Sequence, residues 1–230
     1  MRRDYLLWVA FNTVVFFTKQ QYLRPNYIAG YGCRVVKFDN GIQIETCPNV
    51  YPPSEDTRLL LSAIQASKGQ RVLEMGTGTG IIALHCANAG CLVTAVDISL
   101  DAVKCTRKNA ELNSMDIEII QSDLFESIKG KYDIIILNPP YLSGQDSENL
   151  TPQDALPLIG GEKGHEISLL FLDQAHNFLN HGGKIYLLTS SESEAALLEA
   201  SSNRFSMKTI AEQRIFFEVL AVLELQLDKC

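Results

Sequence analysis

Residues 71–97 constrain the fold more than any other stretch of the chain. They begin with Arg-Val-Leu-Glu-Met-Gly-Thr-Gly-Thr-Gly, continue through a short apolar run and end with Leu-Val-Thr-Ala-Val-Asp. An aliphatic strand, a glycine-rich turn, a helix and a second strand closed by an acid are typical of a βαβ nucleotide-binding unit. Since such units build parallel sheets, the segment predicts an α/β fold.

The spacing of the glycines distinguishes between two classes of cofactor. Gly76, Gly78 and Gly80 alternate, whereas a dinucleotide turn places its third glycine one residue later so that a pyrophosphate can rest on the helix N-terminus. Glu74 precedes them, and its carboxylate would repel a pyrophosphate but suits an α-ammonium group. Asp97 ends the second strand, where a carboxylate can accept both hydroxyls of a ribose.

A ligand with a ribose, an adenine and a zwitterionic amino acid tail is S-adenosylmethionine, which we predict as the cofactor. The alternative is a dehydrogenase-like or purely structural turn, because a glycine motif alone is weak evidence. Asp123 follows a strand predicted at residues 117–120 and can accept a hydrogen bond from the adenine amine. An acid that only caps a loop is the alternative there.

A second motif, Asn138-Pro139-Pro140-Tyr141, follows an apolar strand predicted at residues 132–137. It lies at the carboxyl end of that strand, where ligands bind in open α/β sheets. The prolines remove two N–H donors, so the local backbone presents only acceptors. The Asn138 side-chain oxygen and the Pro139 carbonyl can hold both hydrogens of an NH2 group, while Tyr141 offers a π face to a flat substrate. We therefore predict Asn138, Pro139, Pro140 and Tyr141 as catalytic residues; a turn without function is the alternative.

The remaining segments complete the framework of the fold. Residues 33–47 predict a hairpin at the edge of the site, and Ser54 and Ser99 predict helix starts. Residues 143–157 predict a mobile loop over the site. Periodicity places Val103 and Leu112 on the buried side of one predicted helix. A later helix is predicted to carry Ile167, Leu170, Phe171 and Phe178 on one face. Glu162 or Glu166 either positions the substrate or caps a helix.

Composition and charge limit the partners. A net charge of -7 argues against tight, sequence-independent binding of a phosphate backbone, so stable nucleic-acid binding is not expected. The six cysteines form no C-x-x-C pair, which predicts reduced thiols in a cytoplasmic protein without a metal site. Residues 5–17 are apolar but too few to span a bilayer, which takes about 20 residues. A packed N-terminal element is the first interpretation of them; a weak anchor or a misplaced start codon are the others.

Taken in order, residues 74–80, Asp97, Asp123 and residues 138–141 resemble the motifs of class I amino-methyltransferases. Tyr-Pro-Pro-Ser-Glu-Asp-Thr at residues 51–57 and Gly-Gly-Glu-Lys-Gly-His-Glu further on are similar to segments of the HemK-like protein-glutamine methyltransferases, in their short archaeal and eukaryotic branch. The resemblance covers about residues 42–225. It implies a methyltransferase domain at residues 42–230 and leaves residues 1–41 as an extension of uncertain structure.

This resemblance implies a Rossmann-like class I fold with a seven-stranded, mostly parallel sheet and a C-terminal antiparallel hairpin. It also implies methylation of the glutamine amide in the Gly-Gly-Gln loop of translation release factors, and activation by a small zinc-ribbon subunit. The strand at residues 117–120 is then expected at an open sheet edge that a partner can cover by strand addition, unless the N-terminal extension covers it. The expected cofactor-binding residues are Thr57, Glu74, Gly76, Thr77, Gly78, Gly80, Asp97, Ile98, Asp123, Leu124 and Asn138.

Two other functions fit parts of this pattern. An adenine or guanine amino-methyltransferase acting on RNA or DNA would use the same tetrapeptide on an equally planar NH2 group, although the acidic charge and the lack of a basic stripe weigh against it. A non-catalytic subunit of a methyltransferase pair would be expected to lose the glycines or the tetrapeptide, and both are present.

Overall fold

The computed structural model describes residues 6–10, 13–17, 35–37, 41–144, 157–215 and 218–228. Five helices are found there: α1 (Glu55–Ala63), α2 (Ile81–Asn88), α3 (Leu100–Leu112), α4 (Glu166–Ala175) and α5 (Ser191–Ser201). A short 3-10 turn, His176–Phe178, follows α4. Four short strands pair as hairpins before α1: β1 (Leu6–Ala10) with β2 (Thr13–Phe17), and β3 (Val35–Lys37) with β4 (Gln43–Glu45).

Seven further strands form the central sheet in the order β10-β11-β9-β8-β5-β6-β7. They are β5 (Arg71–Met75), β6 (Leu92–Asp97), β7 (Glu118–Gln121), β8 (Tyr132–Leu137), β9 (Leu179–Ser190), β10 (Phe205–Ile215) and β11 (Glu218–Leu227). The run from β9 to β7 is parallel, and β11 and β10 close the sheet as an antiparallel hairpin. This confirms the predicted fold class, and β7 lies at the expected edge. The strand order reverses between β5 and β8, which is where open α/β sheets bind ligands.

The sheet is covered on both faces. Ile134 and Ile136 of β8 face a core that contains residues of α1, α2 and α3. Ile135 of the same strand faces the opposite core, to which α4 and α5 contribute Phe171 and Leu197. Because both faces are buried, β8 must be apolar throughout, as its sequence indicates.

The hairpin β3–β4 is fastened to α3 by two asparagine side chains. Asn109 accepts from the backbone N–H of Glu45 at 2.8 Å and donates to its carbonyl at 3.0 Å. Asn113, one turn later, makes the same pair of bonds with Gln43 at 2.9 and 2.7 Å. The two amides therefore satisfy the backbone of β4 as a neighbouring strand would, and they hold the start of the loop that leads into the site.

Several sequence expectations need correction. Leu112 was expected on the buried side of α3, yet it is 42% exposed. Cys47 and Cys105 form a disulfide, so the prediction of reduced thiols is wrong for this pair, while Cys86 and Cys91 are free and buried. Cys47 lies just after β4 and Cys105 lies in α3. The disulfide therefore joins two segments that are 58 residues apart, which the spacing of the cysteines could not indicate.

Two other expectations fall largely outside the part of the chain that the structure describes. Of the apolar residues 5–17, residues 6–10 and 13–17 pair as β1 and β2, and how they pack is outside the description. Most of the loop predicted at residues 143–157 is likewise outside it. Among the described residues, none of the helices has the length and apolar character needed to cross a bilayer.

Candidate active site

A cleft with a volume of about 430 Å³ opens at the carboxyl ends of β5, β6 and β8. The loop before α1 forms one wall, and residues 157–159 contribute another together with Ile167 and Leu170. The sequence-predicted site residues that line it are Thr57, Glu74, Gly76, Thr77, Gly78, Asp97, Ile98, Asp123, Leu124, Asn138, Pro139, Pro140 and Tyr141. The structure therefore brings together motifs that are spread over 85 positions of the sequence, from 57 to 141.

Gly80 is the exception among the predicted cofactor residues, because it does not line the cleft. It precedes α2 with a φ of +83°, a conformation that strains residues with a side chain. A Cβ at this position would lie 2.7 Å from Cγ2 of Thr106 on α3. The structure thus gives the third glycine of the motif a packing role behind the turn, and its predicted contact with the cofactor stays a prediction.

Glu74 lies at the floor of the cleft and holds the glycine turn to α2. Its Oε2 accepts from the Thr77 hydroxyl at 2.7 Å and from the Ala83 backbone N–H at 2.9 Å. Burial raises the pKa of Glu74 to about 8, the charge of Asp97 adds to the rise, and the two hydrogen bonds oppose it. A cation in the cleft would favour the ionised form of this carboxyl.

Asp97 connects the glycine turn to the start of α3. Its Oδ2 accepts from the backbone N–H of Gly78 and its Oδ1 from that of Ser99, both at 2.9 Å. Burial raises the pKa of Asp97, and these backbone bonds oppose the rise. Each carboxylate oxygen can accept a second hydrogen bond, so the geometry leaves capacity for a pair of ligand hydroxyls. Ile98, 51% exposed, continues the cleft wall beside it.

Asp123 and Leu124 form the rim beyond β7. Asp123 is exposed, and Leu124 is half-buried against the core on the α4 side. Leu124 has a φ of +42°, a left-handed conformation that is uncommon for residues other than glycine. Such strain, about 1 kcal/mol or more, is found most often at ligand sites.

Asn138 is held at the end of β8 by a residue that sequence reasoning missed. Its Nδ2 donates to Oδ2 of Asp56, a buried carboxylate in the first turn of α1, at 3.3 Å. Its Oδ1 is buried and has no hydrogen-bond partner among the described residues. Asp56 follows Ser54 and Glu55 and was interpreted only as an acid at a helix start, a pattern that gives no sign of a contact 82 residues away.

The tetrapeptide is braced by the segment at residues 157–166. Leu142 bridges to Ile159 in parallel, with the Leu142 N–H donating to Leu158 and the Gly160 N–H donating to Leu142, both at 2.9 Å. A Cβ on Gly160 would collide with the carbonyl oxygens of Pro140 and Gly164. This close backbone contact explains why the downstream segment is rich in glycine.

Glu166 organises that segment and does not line the cleft. Its carboxylate accepts from the backbone N–H groups of Lys163 and His165 at 2.9 and 3.1 Å. These bonds lower the pKa of Glu166, with that to Lys163 the largest cause. For Glu166 the geometry therefore supports a role at the start of α4, and it does not support positioning of the substrate.

The charge of the lining selects for a cationic ligand. Four acids line the cleft, namely Asp56, Glu74, Asp97 and Asp123, and no lysine or arginine is found in its lining within the described part of the chain. A pyrophosphate would meet only like charge there, whereas a sulfonium and an ammonium group are compatible with it. The acidic lining therefore fits S-adenosylmethionine and does not fit a dinucleotide.

Comparison with known proteins decides the family. The methyltransferase small domain family matches residues 42–156. A putative protein N5-glutamine methyltransferase of Methanocaldococcus jannaschii is 37% identical over 186 residues, which is 80% of this chain and 94% of that protein. The chain belongs to the protein glutamine methyltransferases. It is an S-adenosylmethionine-dependent N-methyltransferase.

The chain is also similar to a second relative in sequence and to a solved structure in fold. The release factor glutamine methyltransferase of Lactococcus lactis is 30% identical over 203 residues, covering 84% of this chain and 73% of that protein. The Mtq2–Trm112 complex of E. cuniculi, responsible for methylation of the translation termination factor eRF1, has a chain that matches with a TM-score of 0.61 at 23% identity, over 78% of this chain and 99% of that one. At that identity the structural likeness shows the fold alone.

Proposed function

We propose that this methyltransferase modifies the side-chain amide nitrogen of a glutamine in the Gly-Gly-Gln loop of a translation release factor. The observation that supports it best is the arrangement at Asn138, whose amide nitrogen binds Asp56 and whose oxygen is buried beside the cleft with no partner in the described structure. An acceptor in that position suits an NH2 group. The relatives named as release factor enzymes supply the substrate class.

The chemistry needs orientation more than it needs a base. A carboxamide nitrogen is a poor nucleophile because its lone pair is delocalised into the carbonyl group. Asn138 Oδ1 and the Pro139 carbonyl accept its two hydrogens, which directs the lone pair toward the electrophilic methyl that S-adenosylmethionine supplies. Positioning of this kind can contribute about 7 kcal/mol or more to the lowering of the barrier. The N–C bond would form as the S–CH3 bond of the sulfonium breaks, which leaves a neutral thioether as the product of the cofactor, and the excess proton on nitrogen would pass to solvent.

We assign the cofactor contacts by charge and position. Asp97 accepts the ribose hydroxyls, Glu74 faces the ammonium group and Asp123 accepts from the adenine amine. Thr57, Gly76, Thr77, Gly78, Ile98 and Leu124 supply the walls. Methyl transfer takes place in the domain at residues 42–230, and residues 1–41 remain an extension to it.

We also propose a small zinc-ribbon partner that covers the β7 edge. This strand is only four residues long, and Ile119 and Ile120 are half-buried at an edge that has no neighbour among the described strands. Such an edge is open to strand addition. Trm112 occurs as a second subunit in the complex with Mtq2. Purification of the chain alone and with the activator of the same organism tests this; full activity and a monodisperse chain without the activator would refute it.

Labelled methyl transfer to a purified release factor tests the function, with tRNA, rRNA and DNA as competing acceptors. The matched control is the same factor with its loop glutamine replaced by asparagine, which shortens the side chain by one methylene. We expect label only in the native factor. Because a release factor acts where translation takes place, the proposed location of the enzyme is the cytoplasm. Label in a nucleic acid, with none in the factor, would instead show that the enzyme methylates an amino group of adenine or guanine in RNA or DNA.

A further inference from the structure

We propose that Asp56 is a positioning residue for methyl transfer: it fixes the side-chain amide of Asn138 so that the oxygen, and not the NH2 group, faces the cleft. The inference deepens the proposed function and rests on it, since it concerns how an amide acceptor is held. Asp56 itself lines the cleft but needs no contact with the reacting atoms for this role.

The two oxygens of Asp56 have separate partners. Oδ1 accepts from the backbone N–H and from the hydroxyl of Thr57, the latter at 3.1 Å, so it belongs to the first turn of α1. Oδ2 accepts from Asn138 Nδ2. The carboxylate thus joins the start of α1 to the end of β8.

The orientation of an asparagine amide depends on its neighbours, because its two ends have nearly the same shape and opposite hydrogen-bonding character. An ionised aspartate can only accept, so it binds the NH2 end of Asn138 and leaves the oxygen toward the cleft. In the flipped orientation, the NH2 group of Asn138 would face the NH2 group of the substrate. Two hydrogen-bond donors would then face each other, and the nitrogen that receives the methyl group would lose the oxygen that accepts its hydrogen bond.

Helix capping alone does not explain Asp56. The Ser54 N–H already donates to Thr57 Oγ1 at 3.4 Å, and Glu55 supplies another acid in the first turn of α1. Burial raises the pKa of Asp56, with its hydrogen bonds opposing the rise, so a carboxyl at this place carries a desolvation penalty. A neutral residue would serve the helix start without that penalty.

The test is a double-mutant cycle in the full chain, with its activator if one is required. The variants are Asp56→Asn, Asp56→Ala, Asn138→Ala and the two double variants; Glu55→Gln, in the same helix turn but outside the cleft lining, is the matched control. We measure kcat and KM for the acceptor, the Kd of S-adenosylmethionine by calorimetry, and Tm. Asp56→Asn nearly preserves shape while it loses the acceptor-only character.

We expect each Asp56 variant to lower kcat by about 30-fold or more, with KM and the cofactor Kd changed less than about threefold. In the Asn138→Ala background the same substitutions should have almost no further effect on kcat, because Asp56 acts through Asn138. Asn138→Ala alone should reduce transfer far more than cofactor binding. Glu55→Gln should behave as the unmodified enzyme.

Three results would overturn the inference: full activity of Asp56→Asn, an effect of Asp56 that persists undiminished without Asn138, or a loss of cofactor affinity as large as the loss of kcat. If neither Asp56 variant folds, the residue acts in the fold and the inference is equally wrong. Failure of the proposed function is distinguishable, because the unmodified enzyme would then leave the release factor unlabelled. The cycle can be repeated with whichever acceptor is labelled.

Discussion

Gly160 packs against the carbonyl oxygen of Pro140 with no room for a Cβ between them. The contact joins the segment before α4 to the middle of the tetrapeptide at the end of β8. Because it is made by backbone atoms on both sides, the fit cannot be relieved by a change of side-chain rotamer. The position of the tetrapeptide therefore depends on a glycine 20 residues further along the chain.

Gly160→Ala should displace the tetrapeptide. The added methyl group forces a backbone shift, which costs about 1–3 kcal/mol of stability and moves Asn138 and Pro139 from their places. We expect kcat to fall by about 100-fold while S-adenosylmethionine still binds, since a small misplacement of catalytic groups is enough for such a loss. Steady-state kinetics and calorimetry measure the two effects.

Gly144→Ala is the matched control for Gly160, since it lies in the neighbouring loop and its Cβ would approach Glu162 Cα at an ordinary 3.5 Å. It should leave kcat within about threefold. Equal activity of the two variants would show that the contact between Gly160 and Pro140 has no part in catalysis.

Glu74→Gln should stabilise the ligand-free protein at high pH. With a pKa of about 8 in the folded state against an ordinary 4.5, Glu74 keeps a proton that the unfolded chain has released. The free energy of unfolding therefore falls as pH rises from about 4.5 to 8. Above about pH 8 the loss reaches its full size, on the order of a few kcal/mol, and stays constant. Glutamine has no such penalty and keeps an acceptor for Thr77 and Ala83. Urea unfolding at pH 5 and pH 8.5 should show no gain at the first and a clear gain at the second.

The same variant should bind S-adenosylmethionine less tightly, because it loses the charge opposite the ammonium group. 5′-Methylthioadenosine, which lacks the amino acid tail, is the control ligand. Its affinity should be nearly the same for both proteins. If both ligands lose affinity equally, Glu74 serves the shape of the turn and does not face the tail.

Asp97→Ala should weaken S-adenosylmethionine binding by about 1.5–3 kcal/mol, because charge-assisted bonds to the ribose are lost. The Gly78 and Ser99 N–H groups lose their acceptor as well, so Asp97→Asn, which keeps one acceptor, should lose less. Asp116→Ala, an exposed acid outside the cleft, is the control. Unchanged calorimetric affinity in folded Asp97→Ala would contradict the site, and binding of NAD would revive the dehydrogenase interpretation.

Asn109→Ala should destabilise the fold by about 2–4 kcal/mol, since it leaves partly buried backbone groups of Glu45 and the buried carbonyl of Thr79 without the Asn109 amide as partner. Lys108→Ala is a useful contrast. Lys108 binds the same Glu45 through an ion pair at 2.6 Å, but its side chain is 53% exposed and such pairs contribute little. Denaturant midpoints that rank the two variants in the opposite order would refute the role of Asn109 as a substitute strand.

Local sequence signals were sufficient to predict several elements of the fold. The alternation of glycines, the apolar run that becomes β8 and the serine that caps α3 each depend on neighbours within a few residues. Those signals were enough to indicate the sheet, the cofactor and the tetrapeptide, because the carboxyl ends of parallel strands meet at one edge.

Contacts between distant segments could not be predicted from local signals and became visible in the three-dimensional structure. The bond from Asn138 to Asp56, the disulfide between Cys47 and Cys105 and the fit of Gly160 on Pro140 join segments whose local sequences are equally compatible with other roles. Helical periodicity likewise placed Leu170 on an apolar face of α4. It did not show which part of that face other elements cover, so the exposure of Leu170 at the cleft could not be predicted. Packing between segments depends on the relative placement of whole elements, and a pattern read along a single segment does not contain that placement.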